Sequence, residues 1–198
     1  GIAVKQAAEM AVEEVNAKGG LQFELKYEDD ANDAEKAVNA FNNLIDWGMQ
    51  ISLGSVTSTP GTATSDLSQE NKIFTITPSG SSTKVIEGKD NVFQMCFTDP
   101  NQGTASAQYI SEQNLATKIA VIYKNDDVYS TGIYEKFMEK ANELGLDVVS
   151  VSTFTTDSQN DFSVQLTDAK NAGADLVFLP IYYEAASLIL TQANTMGY

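Results

Sequence analysis

Short apolar runs alternate with longer stretches whose apolar residues recur every third or fourth position, and this alternation constrains the fold more than any other feature of the chain. Val4, Ala7, Ala8, Ala11, Val12 and Val15 form one helical stripe, with Lys18 in its last turn and Gly19-Gly20 as its stop. Residues 22–28 then alternate, with Phe23, Leu25 and Tyr27 on one face, which predicts a strand. Ala34, Ala37, Val38, Phe41, Leu44 and Ile45 make a second stripe, closed by Gly48. The same pattern continues. A strand over 51–53 leads to a helix from about 59 to 69, and a strand over 73–77 leads to a polar cluster. A strand over 92–97 precedes a helix opened by Asp99-Pro100 that runs to about 112. Further strands are expected over 118–123, 148–154 and 176–181. Helices are expected through Ile133, Phe137, Ala141 and Leu144, over 161–171, and from Ala185 onward.

Strands alternating with helices predict an α/β protein whose parallel sheets carry helices on both faces. A seam near 98–102 divides the chain into residues 1–98 and 99–198, each a run of strands and helices, with no sequence repeat between them. The chain opens on an apolar-faced helix with no strand before it and stops within or just after another helix. It reads as a fold incomplete at both ends, and Gly1 reads as a cut end.

Composition excludes several classes of function. Twelve basic residues face 27 acidic ones, a formal charge of −15. Such a surface repels nucleic acid and anionic membrane. No run of apolar residues is long enough to span a bilayer. Histidine is absent, which removes Ser-His-Asp and Cys-His catalysis and the commonest metal ligand. The single Cys96 has no internal partner and sits in an apolar run, as a buried inert thiol does. No Walker loop or G-x-S-x-G elbow occurs, and Asp29-Asp30 follows no G-x-G-x-x-G. Asp126, Asp127 and Asp157 read as loop charges rather than metal ligands. No cofactor is expected. An enzyme on a Rossmann-like sheet is the weaker alternative, because neither polar cluster is followed by a base.

In open α/β sheets ligands bind beyond the carboxyl ends of the strands. Two of those ends are rich in hydroxyls, Gly54 to Thr59 and Pro78 to Ser82. Pro60 offers a pre-set helix start, with Thr59 or Ser58 as the cap before it. Hydroxyls beside a helix N-terminus make a site for a small anion such as a carboxylate. Two later strand ends carry Tyr129, Tyr182 and Tyr183. Taken alone, each cluster reads better as a capping turn and each tyrosine as an edge-of-core residue. Together they suit a small zwitterion, with its carboxylate on the hydroxyls and its ammonium and side chain near the rings.

Four stretches carry a resemblance. They are Ala11 to Gly20, Tyr27 to Asp30 with Ala37-Val38, Gly54 to Ser58, and Thr77 to Ser81, and the likeness continues through Asp99 to Gly103 and Asp175 to Ala193. The chain resembles the leucine/isoleucine/valine-binding protein family, the type I periplasmic solute-binding proteins of ABC importers. That resemblance implies two α/β lobes, 1–98 and 99–198, joined by a hinge and closing over a ligand. The first lobe would lack its first strand and the second its C-terminal part. It implies a non-enzymatic, monomeric binding protein outside the cytoplasmic membrane, periplasmic or a surface lipoprotein. Such a protein captures a branched-chain or similar amino acid and hands it to an ABC permease. A receptor's sensor domain is the alternative use of the same fold. Carried over by position, Ser58 would bind the ligand carboxylate with Thr59 beside it. Gly80 would offer its carbonyl to the ammonium, and Ser81 its N–H and hydroxyl. Tyr129 and Tyr182 would contribute from the second lobe. Ser79 and Gly80 stand where relatives often have Gly-Ala.

Overall fold

The two runs of strand and helix pack separately: in the computed structural model, which describes residues 1–198, the chain divides into two units, Gly1–Cys96 and Phe97–Tyr198.

Unit 1 opens with α1 (Ile2–Ala17), which ends where Gly19 and Gly20 take positive φ. Its apolar stripe buries no residue completely. α2 (Ala34–Trp47) is started by Asp33, whose carboxylate accepts the Lys36 N–H at 2.8 Å, and stopped by Gly48 in the left-handed conformation. Phe41 on α2 packs with Met49 and Ile73. The parallel sheet runs β1 (Ile51–Ser52), β2 (Phe74–Thr77), β3 (Val92–Gln94), in that spatial order. Thr75 pairs with Val92 and Thr77 with Gln94. α3 (Ser58–Glu70) lies after β1 and buries Ser58, Pro60, Gly61, Thr64, Ser65 and Ser68. The buried strand residues Ser52, Thr75 and Thr77 are hydroxyl-bearing too. Thr75 Oγ1 donates to Ser68 Oγ at 3.0 Å, so hydroxyls satisfy one another in this core. Phe74 and Phe93, on neighbouring strands two register positions apart, are 44% and 45% exposed, with ring centroids 5.3 Å apart.

Residues 22–28 do not form the expected strand. They join no ladder, because alternation becomes a strand only beside a hydrogen-bonding neighbour, and β1 pairs with β2 alone. The segment is held instead by Asn16, which exchanges two hydrogen bonds with the Phe23 backbone, and by Lys5 over the Tyr27 ring. The strand expected over 92–97 is shorter for the same reason: its ladder with β2 covers Val92–Gln94.

Unit 2 has β4 (Ile119–Lys124) between β5 (Val148–Phe154) and β6 (Leu176–Phe178), all parallel. Ile119 to Ile122 are buried on both faces, as a central parallel strand requires. α4 (Asp99–Gln113) and α5 (Val128–Leu144) cover one face, with Ala107, Ile110, Phe137 and Ala141 against Ile119 and Val121. α6 (Ser163–Asn171) and α7 (Tyr183–Thr195) lie on the other, with Phe162, Leu166 and Ile189 against Ile122 and Phe154. No helix is long and apolar enough to cross a membrane.

Asp175 ties the start of β6 to the start of β4. Its carboxylate accepts from the Thr117 and Lys118 N–H groups, the latter at 2.8 Å, and from the Thr117 hydroxyl at 2.7 Å. These bonds, the Lys118 N–H first, hold its pKa down at about 2, against 3.8 ordinarily. A carboxylate lowered in the folded state adds stability above its unfolded pKa and loses it as pH falls through the folded value. Asp175→Asn is therefore expected to lower the calorimetric midpoint of unit 2 at pH 7. The two proteins should converge as pH falls from about 4 towards 2. A difference that is the same at pH 7 and pH 2 would show that the charge is not what the bonds act on.

Candidate functional site

Unit 1 brings its two hydroxyl loops together. The N-cap of α3 is Thr57, one residue before Ser58 and two before Thr59, the caps expected from the sequence, and its side chain makes no capping bond. The Thr57 hydroxyl donates instead to Asn32 Oδ1 at 2.6 Å, because a turn at 29–32 reaches the start of α3. The first N–H groups of a helix have no acceptor within it, so this end keeps its affinity for an anion. Ser58 begins the helix and is fully buried. Its hydroxyl oxygen accepts the Ser82 N–H at 3.1 Å, which leaves its proton to be donated. Thr59 is half-buried, Gly80 and Ser81 are buried, and Ser79 is exposed.

Two residues given no role in the sequence reading set this geometry. Thr77 Oγ1, at the end of β2, donates to the Ser55 carbonyl at 2.7 Å and accepts the Gly80 N–H at 2.8 Å. Gln94, at the end of β3, donates through one nitrogen to the Gly80 carbonyl at 2.6 Å and the Ser82 carbonyl at 2.8 Å. The Gly80 carbonyl, expected to face a ligand ammonium, thus already has one donor and keeps its second lone pair. A Cβ at Gly80 would lie 2.7 Å from Thr77 Oγ1, so this loop fits glycine here. The one signal in the sequence was a glutamine placed inside an apolar run.

In unit 2, Tyr129 and Tyr182 stack with centroids 4.6 Å apart and planes 13° from parallel. Tyr129 is in the first turn of α5, and Tyr182 is the N-cap of α7. Gln102 Nε2 donates to the Tyr129 hydroxyl at 3.5 Å. Burial, and then the Asp99 and Asp127 charges, push the Tyr129 phenol above its ordinary pKa. It is therefore a neutral hydroxyl at physiological pH. Tyr183 is 86% exposed and takes no part. Asp127 is the N-cap of α5, accepting the Ser130 N–H at 3.1 Å, and Asp126 accepts the Thr156 N–H at 2.8 Å. Asp29 and Asp30 accept N–H groups within their own turn. No group of three or more His, Cys, Asp or Glu side chains is placed to hold a metal ion.

Comparison with known proteins gives a consistent result. A family model described as "Periplasmic binding protein" matches residues 1–198. Leu/Ile/Val-binding protein homolog 3 of Brucella melitensis is 31% identical over 198 positions, covering 98% of this chain and 53% of that protein. Leu/Ile/Val-binding protein BraC3 of Rhizobium johnstonii is 30% identical, with the same coverage of 98% and 53%. The chain therefore spans about half the length of the curated relatives it matches. Among solved structures, the branched-chain amino acid transporter substrate binding protein LivJ of Streptococcus pneumoniae, in complex with isoleucine, superposes with a TM-score of 0.91. It is 29% identical, and the match covers 100% of this chain and 57% of that one. The leucine binding protein LivK of Thermotoga maritima gives a TM-score of 0.82 at 30% identity, covering 90% and 51%.

Proposed function

We propose that this chain, which belongs to the periplasmic binding protein family over its whole length, forms part of an extracytoplasmic receptor that captures a branched-chain amino acid and delivers it to an ABC importer. The observation that carries the reading is the α3 N-terminus. There the Ser82 N–H occupies one lone pair of the Ser58 oxygen, and the hydroxyl proton is left to donate at the positive end of the helix. That is the donor set a carboxylate needs. In this reading Ser58 and Thr59 hold the carboxylate, Gly80 offers its carbonyl to the ammonium, and Ser81 adds its N–H and hydroxyl, with Ser79 at the loop edge. The stacked Tyr129 and Tyr182 of unit 2 offer a flat face to an aliphatic or ammonium group. The relatives' names, and the isoleucine held by the pneumococcal protein, support an aliphatic amino acid as the solute. No bond is made or broken, so the receptor is not an enzyme.

A thermal-shift screen of the twenty amino acids, nucleotides and sugars, on the product of the complete gene, tests this. A ligand that binds only the native state at a hundred times its Kd adds about 2.7 kcal/mol. A selective rise with leucine, isoleucine or valine is expected. A rise with nucleotides alone would sink the reading.

A further inference from the structure

We infer that Gln94 is a positioning residue for the carboxylate donor Ser58, an inference that rests on the function proposed above. Two carbonyl oxygens, those of Gly80 and Ser82, converge on the single Nε2 of Gln94, at 2.6 and 2.8 Å. Without a donor between them they repel, and the 80–82 loop has no reason to hold both inward. A side-chain amide nitrogen carries two protons, so Gln94 satisfies both acceptors with one group. Its own place is fixed by the β2–β3 ladder, where it pairs with Thr77. Thr77 grips the same loop from the other side through the Gly80 N–H, at 2.8 Å.

The effect passes to Ser58 through one bond. A serine hydroxyl can point its proton in several directions. The Ser82 N–H, at 3.1 Å, occupies one lone pair of Ser58 Oγ and so narrows the directions in which the proton can be donated. That N–H is in place only while the Ser82 carbonyl is held by Gln94. Gln94 thus touches no ligand in this scheme. It acts by keeping the Ser58 hydroxyl a donor and the Gly80 carbonyl aligned, before any ligand arrives.

A double-mutant cycle with hydrogen exchange tests this on the product of the complete gene, with L-isoleucine as titrant. Gln94→Met keeps length and shape but carries no donor. It is expected to weaken isoleucine binding about tenfold when Ser58 is present, and less than twofold in the Ser58→Ala background. Equal losses in both backgrounds would overturn the inference. The second measurement uses the unliganded protein. In Gln94→Met the Gly80 and Ser82 amides should exchange about tenfold faster. The Thr75 and Met95 amides, bonded to the Asn91 and Thr77 carbonyls, should not change. Uniform acceleration of all four would mark a general loss of stability and overturn it. If the unmutated protein binds no isoleucine, the functional reading fails, and the exchange data alone decide whether Gln94 holds the loop.

Discussion

Gly103→Ala is expected to destabilise unit 2 by about 3 kcal/mol, near the upper end of what overpacking costs. The reason is where α4 meets α5. A Cβ at Gly103 would fall inside the contact radius of the Ile133 carbonyl oxygen, 2.8 Å from the Phe137 nitrogen and 3.1 Å from Lys136 Cβ. The first two are backbone atoms of a helix and cannot swing aside. The helices must separate, which loosens Ala107, Ile110, Phe137 and Ala141 against β4. Gly61→Ala provides the contrast. Its nearest neighbour is a Val85 methyl at 3.2 Å, the end of a side chain that can shift, and the cost should stay below about 1 kcal/mol. Denaturant midpoints of the two variants check the argument. A Gly103→Ala protein with the wild-type midpoint would mean that the helices have room to part.

Ser58→Ala is expected to lower amino-acid affinity by roughly 1.5–3 kcal/mol, about tenfold to more than a hundredfold, the range for a hydrogen bond to a charged group. The substitution removes the donor aimed at the carboxylate. It also strips the Ser82 N–H of its acceptor, in a pocket where Ser58 is fully buried. Some of the cost therefore falls on the free protein, and the unliganded melting temperature should drop with the affinity. Calorimetric titration with isoleucine, beside a melt without ligand, separates the two. Unchanged affinity would remove Ser58 from the site.

Local chemistry made much of the fold legible. The Val148–Phe154 strand and the Gly48 and Gly145 stops stand where periodicity and helix-stop rules put them. A helix opened at Asp99-Pro100 follows from the same rules, whereas Asp127, read from the sequence as a loop charge, is the buried cap of α5. Pairing is not local, so the alternation of Phe23, Leu25 and Tyr27 could not reveal that no ladder would receive it. The cap of α3 was misread by one or two residues because Ser58, Thr59 and Thr57 are chemically alike, and only the turn at Asn32 distinguishes them. Within the site, the hydroxyl loops were visible as composition. Gln94 was not, because the carbonyls it bridges belong to backbone 12 and 14 residues away, and backbone leaves no mark on sequence.

The hydroxyl-rich seam between α3 and its sheet has a thermodynamic consequence. Unfolding unit 1 exposes Ser52, Thr64, Ser65, Ser68, Thr75 and Thr77, whereas Phe74 and Phe93 are already close to half wetted in the native state. Newly hydrated polar surface lowers the heat capacity of the unfolded chain, by about 0.26 cal/K/mol per Å², while apolar surface raises it by about 0.45. Unit 2 releases phenylalanines and branched aliphatics from two dry layers. The two halves thus differ in how their stability bends with temperature. Unit 1 has the flatter curve and resists cooling better, and unit 2 has the sharper dome.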